Sequence, residues 1–383
     1  MHTTFKSVID CHAHLEQKHL ARGGFGLDQI LARCEQHGVT ALIYSLFLQD
    51  DELELPIEVI EGIASRHRVS VGISFGIAPP LEAIPPSALV EQHARAAQRA
   101  LKLAVEGRIL AIGEVGLDYY WPVVEYLHTK GVNDQAEVVD EMQARLSELL
   151  ETEPVRNCLE SQVEVFKSCI NMAIETDLPL VTHGRDAYDD ILEIVARSVM
   201  NPERVVPHCF AGSPAQALEA ARKGYRISIP SSVGYRSEFA NVARAVDLSH
   251  LVIETDSPYH SPFVGMWQKA DSIAKDLMPR KAMGRTARDK WVAMRRRELF
   301  LEQVESQYPG LSFPTPEAGQ VRFITAGEYL ASSSRRRENE PTFVRSAATQ
   351  LARVKGLDEK TVCEITAANT LKVFPALRPS TLL

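Results

Sequence analysis

The sequence predicts an α/β chain folded as a (β/α)8 TIM barrel. Two observations carry this. Eight short β-rich runs alternate with helical stretches along the 383 residues, and no internal repeat divides the chain into copies. Strands that alternate with amphipathic helices form parallel sheets, and eight such units can close into a barrel. An open doubly wound sheet is the competing arrangement, because periodicity does not reveal closure.

Taken in order, strands are expected at Val8–Cys11, Ala41–Leu46, Val71–Ile77, Ala111–Glu114, Leu180–His183, Val205–His208, Arg226–Ile229 and Val252–Asp256. The stretch "LDQILARCEQHG" ends on Gly38, a residue suited to the position just past a helix, and "SALVEQHARAAQRALKLAVEG" closes on Gly107 in the same way. The stretches "CLESQVEVFKSCINMAIETD", "AYDDILEIVARSVM", "SPAQALEAARKG" and "SEFANVARAVD" carry apolar residues at the 3.6-residue period of a helix.

Two segments depart from this rhythm within what is expected to be one barrel domain spanning 1–383. The first covers about 121–157 and includes the helical, acidic "DQAEVVDEMQARLSELLETEP"; residues 123–157 carry eight Asp/Glu against three Lys/Arg. The second covers about 263–337 and is basic, with fourteen Lys/Arg against eight Asp/Glu. Both leave the C-terminal ends of strands, so both are expected on the barrel face where active sites form. Solvated surface helices, or contact between the two opposite charges, are the plainer readings.

Composition narrows the class. With 45% apolar and 24% charged residues the chain reads as an ordinary globular protein, and a net charge of −8 does not by itself suggest a polyanionic partner. No apolar run is long enough to span a membrane, and the N-terminus lacks a secretory pattern, so the expected compartment is cytoplasmic. Six cysteines without a C-x-x-C pair read as reduced, buried thiols.

The ionisable residues at the strand ends carry the chemistry. His12 and His14 lie two apart at the end of the first strand, where they share a face. Glu114 ends the fourth strand, His183 the fifth, His208 the sixth and Asp256 the eighth. An isolated H-x-H pair is ordinarily two satisfied histidines. Four histidines and two carboxylates on one rim form a ligand set for zinc, manganese, iron or magnesium. Six ligands exceed the needs of one tetrahedral ion with an open position. Two ions sharing a carboxylate would use them all, and paired metals suit hydrolysis.

The stretches "DCHAHL", "GEVGLDYY", "LVTHGRDA", "HCFAGS", "YRISI", "ETDSPY", "ENEP" and "AANTLKVF" resemble, in content and order, the TatD family of metal-dependent hydrolases and deoxyribonucleases, within the amidohydrolase-type barrels. The resemblance covers most of the chain outside the two insertions. It implies that His12 and His14 bind a first divalent ion, that Glu114 bridges two ions, and that His183 and His208 complete the second site. It also implies that Asp256 binds the first ion and helps deprotonate the nucleophilic water. The ions expected are Mg2+, Mn2+ or Zn2+, which the sequence does not distinguish.

Neighbouring residues have readings of their own. Arg185 suits a phosphate contact or a structural ion pair. Asp118, Ser257 and Tyr259 suit groups that orient ligands, or turn residues. Strand alternation is expected to point Cys11 and Cys209 away from the ligands as buried thiols. Asn339 and Glu340 are expected to tie the start of a late helix to the barrel rim, with Pro341 in its first turn. The chain departs from the family pattern at Ala78, in "FGIAPP", where a histidine is usual, and at Gly184, where a serine is common.

The function these features predict is a two-metal phosphodiesterase acting on DNA, as an exonuclease or end-processing nuclease using a metal-bound hydroxide. The basic insertion would contact the DNA backbone, and Trp267 and Trp291 would stack on bases or pack in the core. One alternative keeps the metals and hydrolyses a small ester, amide or phosphotriester. Another is a subunit whose insertions dock a protein partner.

Overall fold

A computed structural model of the chain describes residues 7–15, 26–47, 57–278, 285–317, 320–331 and 335–379. Eight parallel strands form its centre: β1 (Val8–Ala13), β2 (Val39–Phe47), β3 (Ser70–Gly76), β4 (Ala111–Asp118), β5 (Leu180–Arg185), β6 (Val205–Pro207), β7 (Ile227–Pro230) and β8 (Leu251–Glu254). Every expected strand is present, and β4 runs four residues further than its sequence suggested.

β1 to β6 pair in sequence order, and β7 pairs with β8. Backbone hydrogen bonds close the remaining seams. The Arg226 N–H donates to the Val205 carbonyl (3.0 Å), and the Phe210 N–H to the Ser228 carbonyl (3.3 Å). Between the last strand and the first, the Asp256 N–H donates to the His12 carbonyl (3.0 Å) and the His14 N–H to the Ser257 carbonyl (2.7 Å). The sheet is a closed barrel, which removes the open doubly wound alternative.

The helices are α1 (Leu27–Gln36), α2 (Ile57–Ala64), α3 (Pro86–Val105), α4 (Tyr120–Thr129), α5 (Gln135–Leu150), α6 (Glu153–Glu175), α7 (Tyr188–Arg197), α8 (Pro214–Lys223) and α9 (Ser237–Ala245). After β8 come α10 (Pro262–Asp276), α11 (Arg285–Gln307), a hairpin of β9 (Ser312–Glu317) and β10 (Gln320–Thr325), α12 (Ala326–Leu330), α13 (Val344–Lys355) and α14 (Glu359–Val373). Local chemistry explains their ends. In α8 the Ser213 hydroxyl accepts from the Gln216 N–H while Gln216 reaches back to the Ser213 N–H, Pro214 opens the helix, and Gly224 at φ +105° ends it.

Ile9, Cys11, Ala41, Ile43, Ala111, Val181, Val206 and Val252 form one apolar cluster, joined by Phe374 and Leu377 from beyond α14. Side chains from successive strands meeting in this way fill the barrel interior. A second, larger cluster packs the strands against the surrounding helices.

The acidic segment folds as α4, α5 and the start of α6 around its own apolar group, including Val123, Leu127, Val138 and Met142. The basic segment folds as α10, α11, the hairpin and α12. Its Trp267 packs edge-on against Phe300 at 5.2 Å, with the Arg296 guanidinium 4.6 Å from the Trp267 ring centre. Among the described residues, no helix is long and apolar enough to cross a membrane.

The "ENEP" stretch ties distant elements together. Asn339 Nδ2 donates to the carbonyls of Thr255 (2.9 Å) and Tyr259 (2.5 Å), on either side of Asp256. Glu340 forms a two-pronged ion pair with Arg33 of α1, at 2.7 and 2.6 Å, with both residues buried. Pro341 opens a short turn, Pro341–Phe343, that leads into α13.

Removing one partner of a buried pair strands the other charge. Arg33→Leu is therefore expected to destabilise the fold by about 3–5 kcal/mol in chemical denaturation, and Arg33→Leu with Glu340→Leu by clearly less.

Candidate metal centre

Glu114 stands at the middle of the C-terminal mouth of the barrel, 6% exposed. Glycines deliver it there. A Cβ on Gly116 (φ +155°) would lie 2.0 Å from the His183 carbonyl oxygen, and one on Gly113 (φ +151°) 2.6 Å from Val181. The close approach of β4 to β5 therefore requires the "GEVG" pattern.

The two Glu114 oxygens face different imidazoles. Oε2 lies 3.1 Å from His12 Nε2 and 3.0 Å from His14 Nε2. Oε1 lies 2.7 Å from His183 Nδ1 and 3.3 Å from His208 Nε2. Asp256 Oδ1 lies 3.9 and 3.8 Å from the Nε2 atoms of His12 and His14. The structure thus brings all six candidate ligands into one cluster, with His12, Glu114 and His208, and also His12, His14 and Asp256, offering donor atoms within 4.8 Å of one another.

This donor set suits divalent cations. His12 Nε2 and His14 Nε2 sit 3.1 Å apart and converge on a single carboxylate oxygen. Protons on both nitrogens would crowd each other, whereas a cation at the focus would satisfy both lone pairs and the carboxylate together.

Supporting groups hold the ligands. Asp118 accepts from His183 Nε2 at 3.1 Å, and its other oxygen accepts from the N–H groups of Tyr120 (2.9 Å) and Trp121 (3.0 Å) at the start of α4. It thus fits both readings its sequence position left open, contacting His183 and holding the turn into α4. Asp10 accepts from the Thr255 N–H (2.9 Å) and hydroxyl (2.5 Å), tying β1 to the loop after β8. Burial pushes the Asp10 carboxyl up to about 7. Ser257 bonds the backbone of His14, and Tyr259 stands edge-on to the His14 ring at 6.5 Å.

Three sequence expectations need correction. Cys11 is buried, but it points into the barrel, with Sγ 3.1 Å from Ser228 Oγ. A register shift between Asp10 and Ala13 interrupts strict alternation, so Cys11 and His12 both face inward. Cys209 does not point away: it is half-buried and lines the cleft, turned there by a left-handed backbone conformation at φ +43°. Among its described residues the basic segment does not line the cleft, so the DNA contacts expected of it are not found there; Trp267 instead packs against the core, the other place expected for it. The acidic segment does line the cleft, through Trp121 and Gln135.

The cleft above the cluster measures about 970 Å³. Arg185 and Arg236 bring positive charge to its wall. The Arg185 guanidinium lies 4.9 Å from the Tyr120 ring centre and 5.7 Å from that of Trp121. Ala78, at the first departure from the family pattern, also lines it. Sequence reasoning missed Glu254 and His260. Glu254 is fully buried and accepts from the Cys209 N–H and the Ser228 hydroxyl, both at 2.6 Å. His260 stands at the cleft wall; its signal in the sequence was a histidine four residues after Asp256.

Comparisons with known proteins bear on the family and the fold. The profile of a family described as "TatD related DNase" matches residues 9–375. The human protein named "Deoxyribonuclease TATDN3" is 24% identical over 97% of this chain and 96% of its own. A Mycobacterium tuberculosis protein named "Uncharacterized metal-dependent hydrolase TatD" is 26% identical over 67% of this chain and 81% of its own. Among solved structures, a TatD family hydrolase from Entamoeba histolytica superimposes with a TM-score of 0.61 at 17% identity, covering 97% of this chain and 99% of that one.

The imidazoles titrate in opposite directions. Burial, with the His208 ring nearby, lowers His12 to about 4. Burial opposes charge on His183 as well, but the Glu114 and Asp118 carboxylates outweigh it and raise His183 to about 10. In metal-stripped protein the His12 contribution to stability is complete above about pH 6.5 and is lost as pH falls towards 4. The His183 contribution is complete below about pH 6.5 and is lost as pH rises through 10. Imidazole NMR titration checks both. A divalent ion at His183 Nδ1 must displace a proton, so metal titration at a pH between these limits is expected to release acid.

Proposed function

Because the chain belongs to the TatD-related DNase family of metal-dependent hydrolases, we propose that its cleft hydrolyses phosphodiester bonds of DNA, as an exonuclease or end-processing nuclease, with two divalent ions held by His12, His14, Glu114, His183, His208 and Asp256. The observation that carries the substrate reading is the company the buried centre keeps. Trp121 is 41% and Tyr259 55% exposed at the cleft, beside the cationic Arg185 and Arg236. Aromatic faces that stack on bases, next to cations that meet phosphates, suit a single strand or a frayed end. The name of the human relative supports the same substrate.

Each residue then has a task. His12, His14 and Asp256 would hold the first ion and His183 and His208 the second, with Glu114, whose two oxygens face the two histidine pairs, as a ligand available to both. When bound, such a pair acidifies water and offsets the charge that develops on phosphoryl oxygens. Asp256 Oδ1, beside His12 and His14, takes the proton of the attacking water. Asp118 keeps His183 in one orientation and one tautomer. Arg185, braced against Tyr120 and Trp121, positions the phosphate.

Chelation is expected to abolish DNA cleavage, and divalent metal to restore it. Glu114→Gln and Asp256→Asn should each lower kcat by on the order of 10² to 10³-fold, and Asp118→Asn by about 10 to 100-fold. Trp121→Ala should raise KM for single-stranded DNA roughly tenfold with kcat little changed, the scale of one lost stacking contact. Metal-loaded protein that leaves DNA and RNA intact but turns over chromogenic esters would assign the cleft to small esters instead.

A further inference from the structure

One group in the cleft wall takes no part in the scheme above. Cys209 Sγ lies 3.2 Å from His260 Nε2, which lies 3.7 Å from Asp256 Oδ2. Donor atoms of these three residues fall within 4.8 Å of one another. We infer that Cys209, His260 and Asp256 form a further cation site, selective for a thiophilic divalent ion such as zinc, beside the histidine centre and joined to it through Asp256.

Four observations support this. The first is separation. Zinc bonds of about 2.3 Å to sulfur and about 2.0–2.1 Å to nitrogen or oxygen place tetrahedral ligand atoms roughly 3.3–3.6 Å apart. Sulfur to imidazole nitrogen, at 3.2 Å, is slightly below that range, and imidazole nitrogen to carboxylate oxygen, at 3.7 Å, slightly above it, so small side-chain rotations bring both to zinc-ligand separations. The second is direction. Asp256 Oδ1 faces His12 and His14, whereas Oδ2 faces His260. A carboxylate whose oxygens address two ligand groups can serve an ion on each side.

The third is tautomer. His260 Nδ1 lies 2.8 Å from the hydroxyl of Ser232, which is fully buried. A proton on Nδ1 directed at that hydroxyl leaves the Nε2 lone pair free to face the sulfur and the carboxylate. The fourth is backbone. Among the described residues, five other than glycine have positive φ, and Cys209 (43°), Asp256 (48°) and His260 (54°) are three of them. The left-handed region disfavours residues with a Cβ, Cys209 most of these three, since aspartate and histidine enter it more readily. Its use at all three members of one cluster sets their side chains towards a common point. Glu254 anchors the arrangement by accepting from the Cys209 N–H.

A thiol–imidazole hydrogen bond alone would need only Cys209 and His260. It would not require the second oxygen of Asp256. Three protein ligands at a cleft wall leave a fourth position open to solvent or to a substrate atom. On binding, the cysteine gives its proton to solvent and the thiolate becomes a ligand.

The test uses the full-length chain, stripped of metal and titrated with Co2+ as the probe. Wild type is expected to develop a sulfur-to-cobalt charge-transfer band in the near ultraviolet. Cys209→Ser and His260→Ala should lose that band and bind one ion fewer per chain by metal analysis. In parallel, Zn2+ should slow alkylation of Cys209 in wild type roughly tenfold, read by mass spectrometry, which needs no variant to fold. Absence of the band in wild type, its survival in Cys209→Ser, or alkylation unaffected by Zn2+ would each overturn the inference. The inference rests on the proposed histidine centre only through Asp256. Glu114→Ala separates the two, since it should remove ions from the histidine centre while the thiolate band persists; unchanged ion content in that variant counts against the histidine centre alone.

Discussion

Glu114 is buried, and a buried carboxylate without compensation is protonated or expelled. Here four imidazoles surround it within 3.3 Å. Its own burial opposes ionisation, yet the His208 and His183 rings, with those of His12 and His14 close against it, hold it well below the ordinary carboxylate range. That balance constrains the whole mouth of the barrel. The ends of β1, β4, β5 and β6 must reach one height, β4 must lie close against β5, and the loop after β8 must bring Asp256 to the same point. The glycines on either side of Glu114, the Asp10–Thr255 contacts and the Asp118–His183 bond all serve these demands.

Much of this was legible in the sequence because barrel strands report their own ends. His12, His14, Glu114, His183, His208 and Asp256 were found by one rule, an ionisable residue closing a β-rich run, and the structure gathers them at one mouth. The rule fails where the backbone leaves ideal strand geometry. Cys11 was assigned to the wrong face because a register shift in β1 breaks the two-residue alternation. Cys209 and His260 were misjudged or missed because positive φ values turn them, and no sequence pattern announces a left-handed cysteine. Glu254 reads locally as one more residue of an apolar strand; its partners, Ser228 and the Cys209 N–H, come from other elements.

The two insertions illustrate how poorly charge alone predicts position. The basic segment has the composition of a polyanion-binding arm, yet none of its described residues lines the cleft. Part of its charge is met locally, since Arg296 and Lys275 share Asp271 and Arg295 pairs with Glu298. The acidic segment reaches the cleft through Gln135 at the start of α5 and through the start of α4, which brings Trp121 up beside Arg185. There the aromatic side chains matter more than the net charge of the segment that carries them.

The bonds made by Asn339 have a consequence for the order in which the molecule is made. Its amide holds the carbonyls of Thr255 and Tyr259, the two shoulders of the loop that presents Asp256, while the adjacent Glu340 clasps Arg33 near the other end of the chain. A ribosome that has released the eighth strand has therefore not yet released the residues that set this loop in place. The polypeptide emerges with its ligand-bearing strands first and its keystone last, so a truncated or still-tethered chain would carry all six donors without the brace that aligns them.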